Sequence, residues 1–118
     1  MKRGDVYTAN LDPVIGSEQG GFRPVIIIQN DLGNLHAPTV IVIPLTSSAG
    51  KPALPTHVSI RESEGGLRRP STALCEQVRT VEKTRLKRRL GSLAPGTLKA
   101  VDRALRASMD IACDCGEN

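Results

Sequence analysis

GSEQGGFRPVIIIQND, residues Gly16 to Asp31, changes character at its centre. Gly16 to Gly21 holds three glycines and no aliphatic side chain. Nothing in it anchors a loop in an apolar core, and glycine leaves the backbone free to move. Val25 to Ile28 is an unbroken β-branched run, the pattern of a buried strand. Arg23 and Pro24 stand at the seam. Pro24 has no N–H and favours a strand's first residue or an edge. Arg23 is therefore expected where a mobile polar loop meets a rigid strand. A cation held on a strand edge beneath a flexible loop suits a phosphate. The same spacing also fits a plain hairpin loop carrying a solvated arginine.

Outward from this stretch the chain reads as short strands closed by one helix. Gly4 to Leu11 is a first strand, broken by Asp12-Pro13. The second runs from Pro24 to Gln29, and Asn30 to Asn34 is dense in turn formers. Thr39 to Leu45 (TVIVIPL) is apolar on both faces and so central, with Pro44 suggesting a bulge or an edge. Thr56 to Ile60 alternates, Val58 and Ile60 against His57 and Ser59. Ser71 to Gln77 is a fifth strand. Thr80 to Leu86 is expected to hold a short helical turn before a last short strand near Leu90. From Pro95, apolar residues fall at Leu98, Val101, Leu105, Met109 and Ala112, one face of the only long helix. Strands with turns between them and a single terminal helix predict a mainly β fold with α, a small antiparallel barrel whose C-terminal helix covers an open side. Residues 1–112 form the single domain, and residues 113–118 a flexible tail.

Composition narrows the function. Trp is absent, with one Phe and one Tyr, so the core is aliphatic. The formal net charge of +4 favours a polyanionic partner. The excess gathers at Arg68, Arg69, Arg79, Lys83, Arg85, Lys87, Arg88 and Arg89, for which a solvated face is the competing explanation. No apolar run approaches the ~20 residues of a membrane helix, and no signal region follows Met1, so a soluble, cytoplasmic chain is expected. Cys75 reads as a small buried residue. Cys113 and Cys115, with no further ligand pair nearby, are a weak zinc signal. Neither a metal nor a cofactor is expected.

Motifs for phosphate loops, dinucleotides, zinc proteases and nucleophile elbows are missing. His36 and His57 invite a paired acid–base ribonuclease, against the commoner outcome of two surface histidines. Arg23 has a better candidate partner in Thr46, at the end of the third strand. If the second and third strands form a hairpin, the distances from a turn near Leu35 to Arg23 and to Thr46 match, and the two come side by side. A guanidinium beside a hydroxyl can hold a phosphate from two sides. The competing reading is a threonine that caps the strand end.

The sequence resembles the MazF (PemK-like) family of toxin endoribonucleases of type II toxin–antitoxin systems. The resemblance rests on KRGDVY (Lys2 to Tyr7), LDP (Leu11 to Pro13), GSEQGGFRPV (Gly16 to Val25) and QND (Gln29 to Asp31). It continues through IVIPLTS (Ile41 to Ser47), LPTHV (Leu54 to Val58) and LCEQVRTVEKTRL (Leu74 to Leu86). It implies an SH3-like barrel, a homodimer, and metal-independent, sequence-specific cleavage of single-stranded RNA, commonly mRNA. It also implies a cognate MazE-like antitoxin that blocks the site. Residue by residue, Arg23 and Thr46 match the family's catalytic pair. Ser17, Glu18 and Gln19 match loop residues that close over RNA, and Gln77 matches a base-contacting position. The implied chemistry is attack of a ribose 2′-OH on the adjacent phosphorus, giving a 2′,3′-cyclic phosphate and a 5′-OH, with Glu18 a candidate general base. The charge at Lys87 to Arg89 and the Cys113–Cys115 tail depart from the family pattern. Two other readings stay open at this point: a non-enzymatic toxin of the same fold that binds DNA gyrase, and an RNA-binding barrel without turnover.

Overall fold

The computed structural model describes residues 1–47 and 54–112. The Cys113–Cys115 pair and the tail expected at 113–118 lie outside the described residues. Strands β1 (Asp5–Asn10), β2 (Phe22–Ile27), β3 (Thr39–Thr46), β4 (His57–Ile60), β5 (Ser71–Leu74), β6 (Arg79–Glu82) and β7 (Leu86–Ser92) form one antiparallel sheet. A short helix α1 (Asp31–His36) and a long one α2 (Pro95–Met109) complete it. The strand order is β4-β5-β3-β2-β1-β7, with β6 also paired to β3. Among the described residues the ladder is therefore open, with β4 and β7 at the ends of this order and unpaired to each other.

The gap between those ends is bridged by the tight turn Glu64–Gly66, which packs on β7 and β1. Gly66 has φ +76, and a Cβ there would run into the Leu90 carbonyl. Only glycine lets the turn sit that close.

The apolar runs explain the two-sided core. Along β2, Ile26 enters one cluster with Val6, Ile43, Leu45 and Ile60, while Val25 and Ile27 enter a second with Val40, Val42 and Val81. Val101 and Ala104 of α2 cover the first cluster. Ala9, Leu11 and the residues of β2, β3 and β6 fill the second, with Tyr7 and Leu86 packed against it. Each fully buried aliphatic side chain contributes ~1.5–3 kcal/mol, and β3 is buried on both faces as its sequence predicts.

Pro44 is neither at an outer edge nor on a bulge. It is opposite Val25, in the gap where β3's other neighbour changes from β6, whose register ends at Val42, to β5, whose register begins at Leu45. Pro24 is opposite Thr8 of β1, but the β2–β3 ladder begins only at Val25, so on that side the strand still has an edge.

Three expectations change. Asn30 to Asn34 does not simply turn: the Asn30 side chain accepts the Gly33 N–H at 2.8 Å and caps α1. Thr80 to Leu86 holds the expected helical turn, at Lys83–Arg85, but strand β6 precedes it and the strand that follows, β7, is longer than expected. α2 stops at Met109, because Asp110 adopts a left-handed conformation (φ 55) and its N–H bonds back to the Ala107 carbonyl. No helix among the described residues is long and apolar enough to cross a membrane.

Candidate active site

Arg23 sits on β2 as the sequence places it, between the Gly16–Gly21 loop and the buried strand. Its Nε donates to the Gly20 carbonyl at 2.7 Å and its Nη1 to the Leu45 carbonyl at 3.1 Å. The guanidinium is thus tied to the loop on one side and to the end of β3 on the other. Continuing the β2–β3 register outward from Val25 and Pro44 brings Arg23 opposite Thr46. Thr46 is half-buried, pairs with Thr72 of β5, and stands between Leu45 and Ser47. Those two residues and Arg23 line a cavity of about 440 Å³.

The cavity wall also carries Arg68, Arg69 and Arg88, above an apolar floor that includes Leu67 and Leu90. Sequence reasoning put these arginines in one basic run with five others, and the structure divides that run. Arg79, Lys83, Arg85 and Lys87 donate to backbone carbonyls, and Arg89 pairs with Asp5 at 3.3 Å. Arg68, Arg69 and Arg88 have no such partner among the described residues. A phosphate in the cavity would meet four guanidinium groups, and the apolar floor would lower the local dielectric around them.

The loop has no apolar anchor, as its composition predicts, and is fastened by polar bonds. The Gln19 N–H donates to Gln77 Oε1 at 2.8 Å, and the Gly21 N–H to Asp12 Oδ1 at 2.9 Å. Ile15 within the loop stays 83% exposed. Ser17, Glu18, Gln19 and Gln77 converge, with Glu76, Val78 and Arg79, on a second cavity of about 550 Å³. So the structure brings the candidate RNA-contacting residues together, but not on the wall that holds Arg23. Glu18 Oε1 accepts the Ile15 N–H at 2.9 Å and is turned into its own loop.

His36 ends α1 and His57 begins β4, and they line neither cavity. His57 Nε2 contacts Glu76 Oε2 at 3.1 Å. Burial opposes ionisation of Glu76, but its own backbone N–H and hydrogen bonds from His57 and Thr56 outweigh it. They hold the carboxyl below the ordinary glutamate value. Burial also pushes the Cys75 thiol up to about 12, so it is an unreactive core residue, as its apolar context implied. Glu76 and Arg79 escaped the sequence reading as site residues, although both flank the Gln77 that it singled out.

Comparison with known proteins bears on this geometry. A MazF endoribonuclease of Staphylococcus saprophyticus is 50% identical over 111 residues, which cover 94% of this chain and 92% of that protein. A solved mycobacterial endoribonuclease, in complex with its cognate antitoxin, is 25% identical with a TM-score of 0.80, covering 96% of this chain and 98% of that one. MazF from Deinococcus radiodurans shares the fold at a TM-score of 0.81 and 22% identity, covering 94% and 97% of the two chains. The model of the PemK-like, MazF-like toxins of type II toxin–antitoxin systems matches residues 2–109, and the chain belongs to that family.

Proposed function

We propose that this toxin endoribonuclease cleaves single-stranded RNA, mRNA included, at a short recognition sequence and without a metal, with Arg23 and Thr46 as its catalytic pair. The observation that carries this reading is the anchoring of Arg23. Two bonds fix the plane of its guanidinium at the mouth of an arginine-walled cavity, and three of its five N–H donors remain for a phosphate. In the reaction the ribose 2′-oxygen gives up its proton and bonds to the adjacent phosphorus, the bond to the 5′-oxygen breaks, and the departing 5′-oxygen takes up a proton from water, so that one proton is lost and one gained. The products are a 2′,3′-cyclic phosphate and a 5′-OH. Negative charge grows on the phosphoryl oxygens, where Arg23 donates in pairs and Thr46 adds a hydroxyl. The chain's own cations supply the charge that a metal would otherwise bring.

Ser17, Gln19 and Gln77 offer amide, hydroxyl and carbonyl groups that suit base edges, and Glu18 is the candidate base for the 2′-proton. Because the Glu18 carboxylate is engaged with Ile15 N–H, that role needs the loop to turn toward Arg23. The two-sided core and the turn bridging the sheet's edges favour an SH3-like barrel that is incompletely laddered. A homodimer would extend the basic track across two copies. The mycobacterial relative was solved with its antitoxin, and an acidic MazE-like antitoxin would fit the same arginine-walled cavity here. All of this belongs in the cytoplasm, where mRNA is found.

The experiment is incubation of the purified chain with a long defined RNA in EDTA, followed by mapping of 5′ ends. Discrete 5′-OH ends at one short sequence, lost in Arg23→Ala, are expected. Cleavage only on addition of a divalent ion, or cleavage unchanged in Arg23→Ala, would overturn the proposal.

A further inference from the structure

Arg79 and Arg85 belong to the basic run, yet neither lines the Arg23 cavity. Their guanidinium groups hold three consecutive carbonyls where β1 ends. Arg85 Nη1 donates to the Asn10 carbonyl at 3.1 Å and also to the Asp12 carbonyl, and Arg79 Nη1 donates to the Leu11 carbonyl at 3.3 Å. From there the Asp12 carboxylate reaches across the loop. Its Oδ1 accepts the Gly21 N–H at 2.9 Å, and the Leu11 N–H donates to the Gly21 carbonyl at 2.9 Å. A Cβ on Gly20 would lie 2.7 Å from that same Oδ1, so the loop is pressed against Asp12 at this point. The Gly20 carbonyl then takes the Arg23 Nε–H at 2.7 Å.

We infer that Arg79, Arg85 and Asp12 are positioning residues for RNA cleavage. They set the Gly20 carbonyl, and the Gly20 carbonyl sets the plane of the Arg23 guanidinium. The inference rests on the reading of Arg23 as the cation at the scissile phosphate. A guanidinium on a rotatable stem needs two fixed acceptors to define its plane. Without the Gly20 carbonyl only the Leu45 bond remains, and the group can swivel about it. Arg79 and Arg85 are half-buried, so their donors serve carbonyls with less access to water than a solvated face would have.

The test uses the full chain with Asp12→Ala, which removes the acceptor, and Asp12→Asn, which keeps one oxygen. Three quantities are read. They are single-turnover cleavage of a DNA oligonucleotide carrying one ribonucleotide at the cut site, affinity for its all-deoxy counterpart, and water exchange of the Arg23 Nε–H signal. That signal is assigned by its loss in Arg23→Lys. A misplacement of ~1 Å costs ~10²-fold in rate, so Asp12→Ala should slow cleavage ~10–100-fold. It should also speed Nε–H exchange and leave affinity within about threefold, and Asp12→Asn should restore both rate and exchange. Arg85→Ala should likewise slow cleavage and speed Nε–H exchange with affinity within about threefold, and it carries the test if Asp12→Ala does not fold. Unchanged Nε–H exchange overturns the inference, and so does faster exchange with undiminished cleavage. Arg23→Ala cleaving as fast as the unsubstituted protein would instead remove the underlying reading, whatever the exchange data show.

Discussion

Arg23→Lys keeps a positive charge at the seam between loop and strand and removes the planar fork. In the structure that fork is held from both sides, by the Gly20 carbonyl at 2.7 Å and the Leu45 carbonyl at 3.1 Å. Lysine carries its donors on one nitrogen and has no Nε–H. It cannot satisfy both carbonyls and still present a paired face to phosphate. Loss of one positioned donor to a developing oxyanion costs ~10²–10³ in rate, or ~2.7–4 kcal/mol. Arg23→Lys should therefore cleave at least ~10²-fold more slowly than the unsubstituted chain, and Arg23→Ala more slowly still. Stability should move much less. Arg23 is only half-buried, so water can replace its bonds to the two carbonyls, and a loss of ~1 kcal/mol is expected. For a domain of this size that lowers Tm by roughly 4 °C. The assay is single-turnover cleavage of a fluorogenic oligonucleotide, run beside thermal melts and circular dichroism. A lysine variant within about threefold of the unsubstituted rate would refute paired donation. A rate lost together with the strand and helix signals would show that Arg23 holds the fold instead of the phosphate.

His36→Ala and His57→Ala should each keep most of the activity, since neither histidine lines the Arg23 cavity; a hundredfold loss in either, read in the same assay, would revive a histidine mechanism. Gly66→Ala should be strongly destabilising, by ~3 kcal/mol or more in urea melts, because positive φ and collision with the Leu90 carbonyl act together; a change below ~1 kcal/mol would show that the bridging turn yields freely. Glu76 has a lowered folded-state pKa, so its contribution to stability is present above the unfolded value and lost as pH falls through the folded one. Glu76→Gln should thus narrow the stability gap between pH 7 and pH 3 in urea melts, and an unchanged gap would contradict the direction given. Binding of an uncleavable single strand should weaken with salt at a slope no steeper than about −3, since four guanidinium groups wall the cavity and each adds ~−0.7; a much steeper slope would mean that the other basic residues also meet phosphate.

How legible each element was depended on whether its own side chains decide its state. β2 and β3 were readable because both of their faces are buried, which forces continuous β-branched runs. β7 was legible only as a short strand near Leu90. None of Leu86 to Ser92 is fully buried, and KRR in its middle has no alternation. Its full length rests on the ladder that β1 offers, a fact of tertiary structure that leaves no local trace. β6 contributes Val81 alone to the core, and α1 hid behind residues that favour turns as readily as helix caps. At the site, register arithmetic sufficed to bring Arg23 and Thr46 together. The division of the basic run was beyond reach. Whether an arginine faces a cavity or serves a carbonyl depends on which carbonyls the fold leaves unpaired, and Asn10, Leu11 and Asp12 are many residues from Arg79 and Arg85.

The Gly16–Gly21 loop joins these observations through its energetics. Fixing a residue's backbone costs ~1–2 kcal/mol, and a net hydrogen bond returns ~0.5–1.5 kcal/mol. Between Pro13 and Gly21 the bonds are fewer than the residues they fix, and Ile15 is left in solvent. The loop is therefore held with little surplus, at the low end of the stability scale from which binding elements are drawn. Yet two of its anchors lead to different cavities: Gln19 is tied to Gln77 in one, and Gly20 to Arg23 in the other. A ligand that exchanges its own groups for the Gln77–Gln19 bond would free the residue next to Gly20, leaving the contacts of Asp12 to hold the Gly20 carbonyl that aims Arg23. A loop packed firmly on apolar side chains would insulate the two cavities from each other. One fastened by a few polar bonds couples them, which gives a physical reason for a segment without a single core residue to stand beside the residue proposed to do the chemistry.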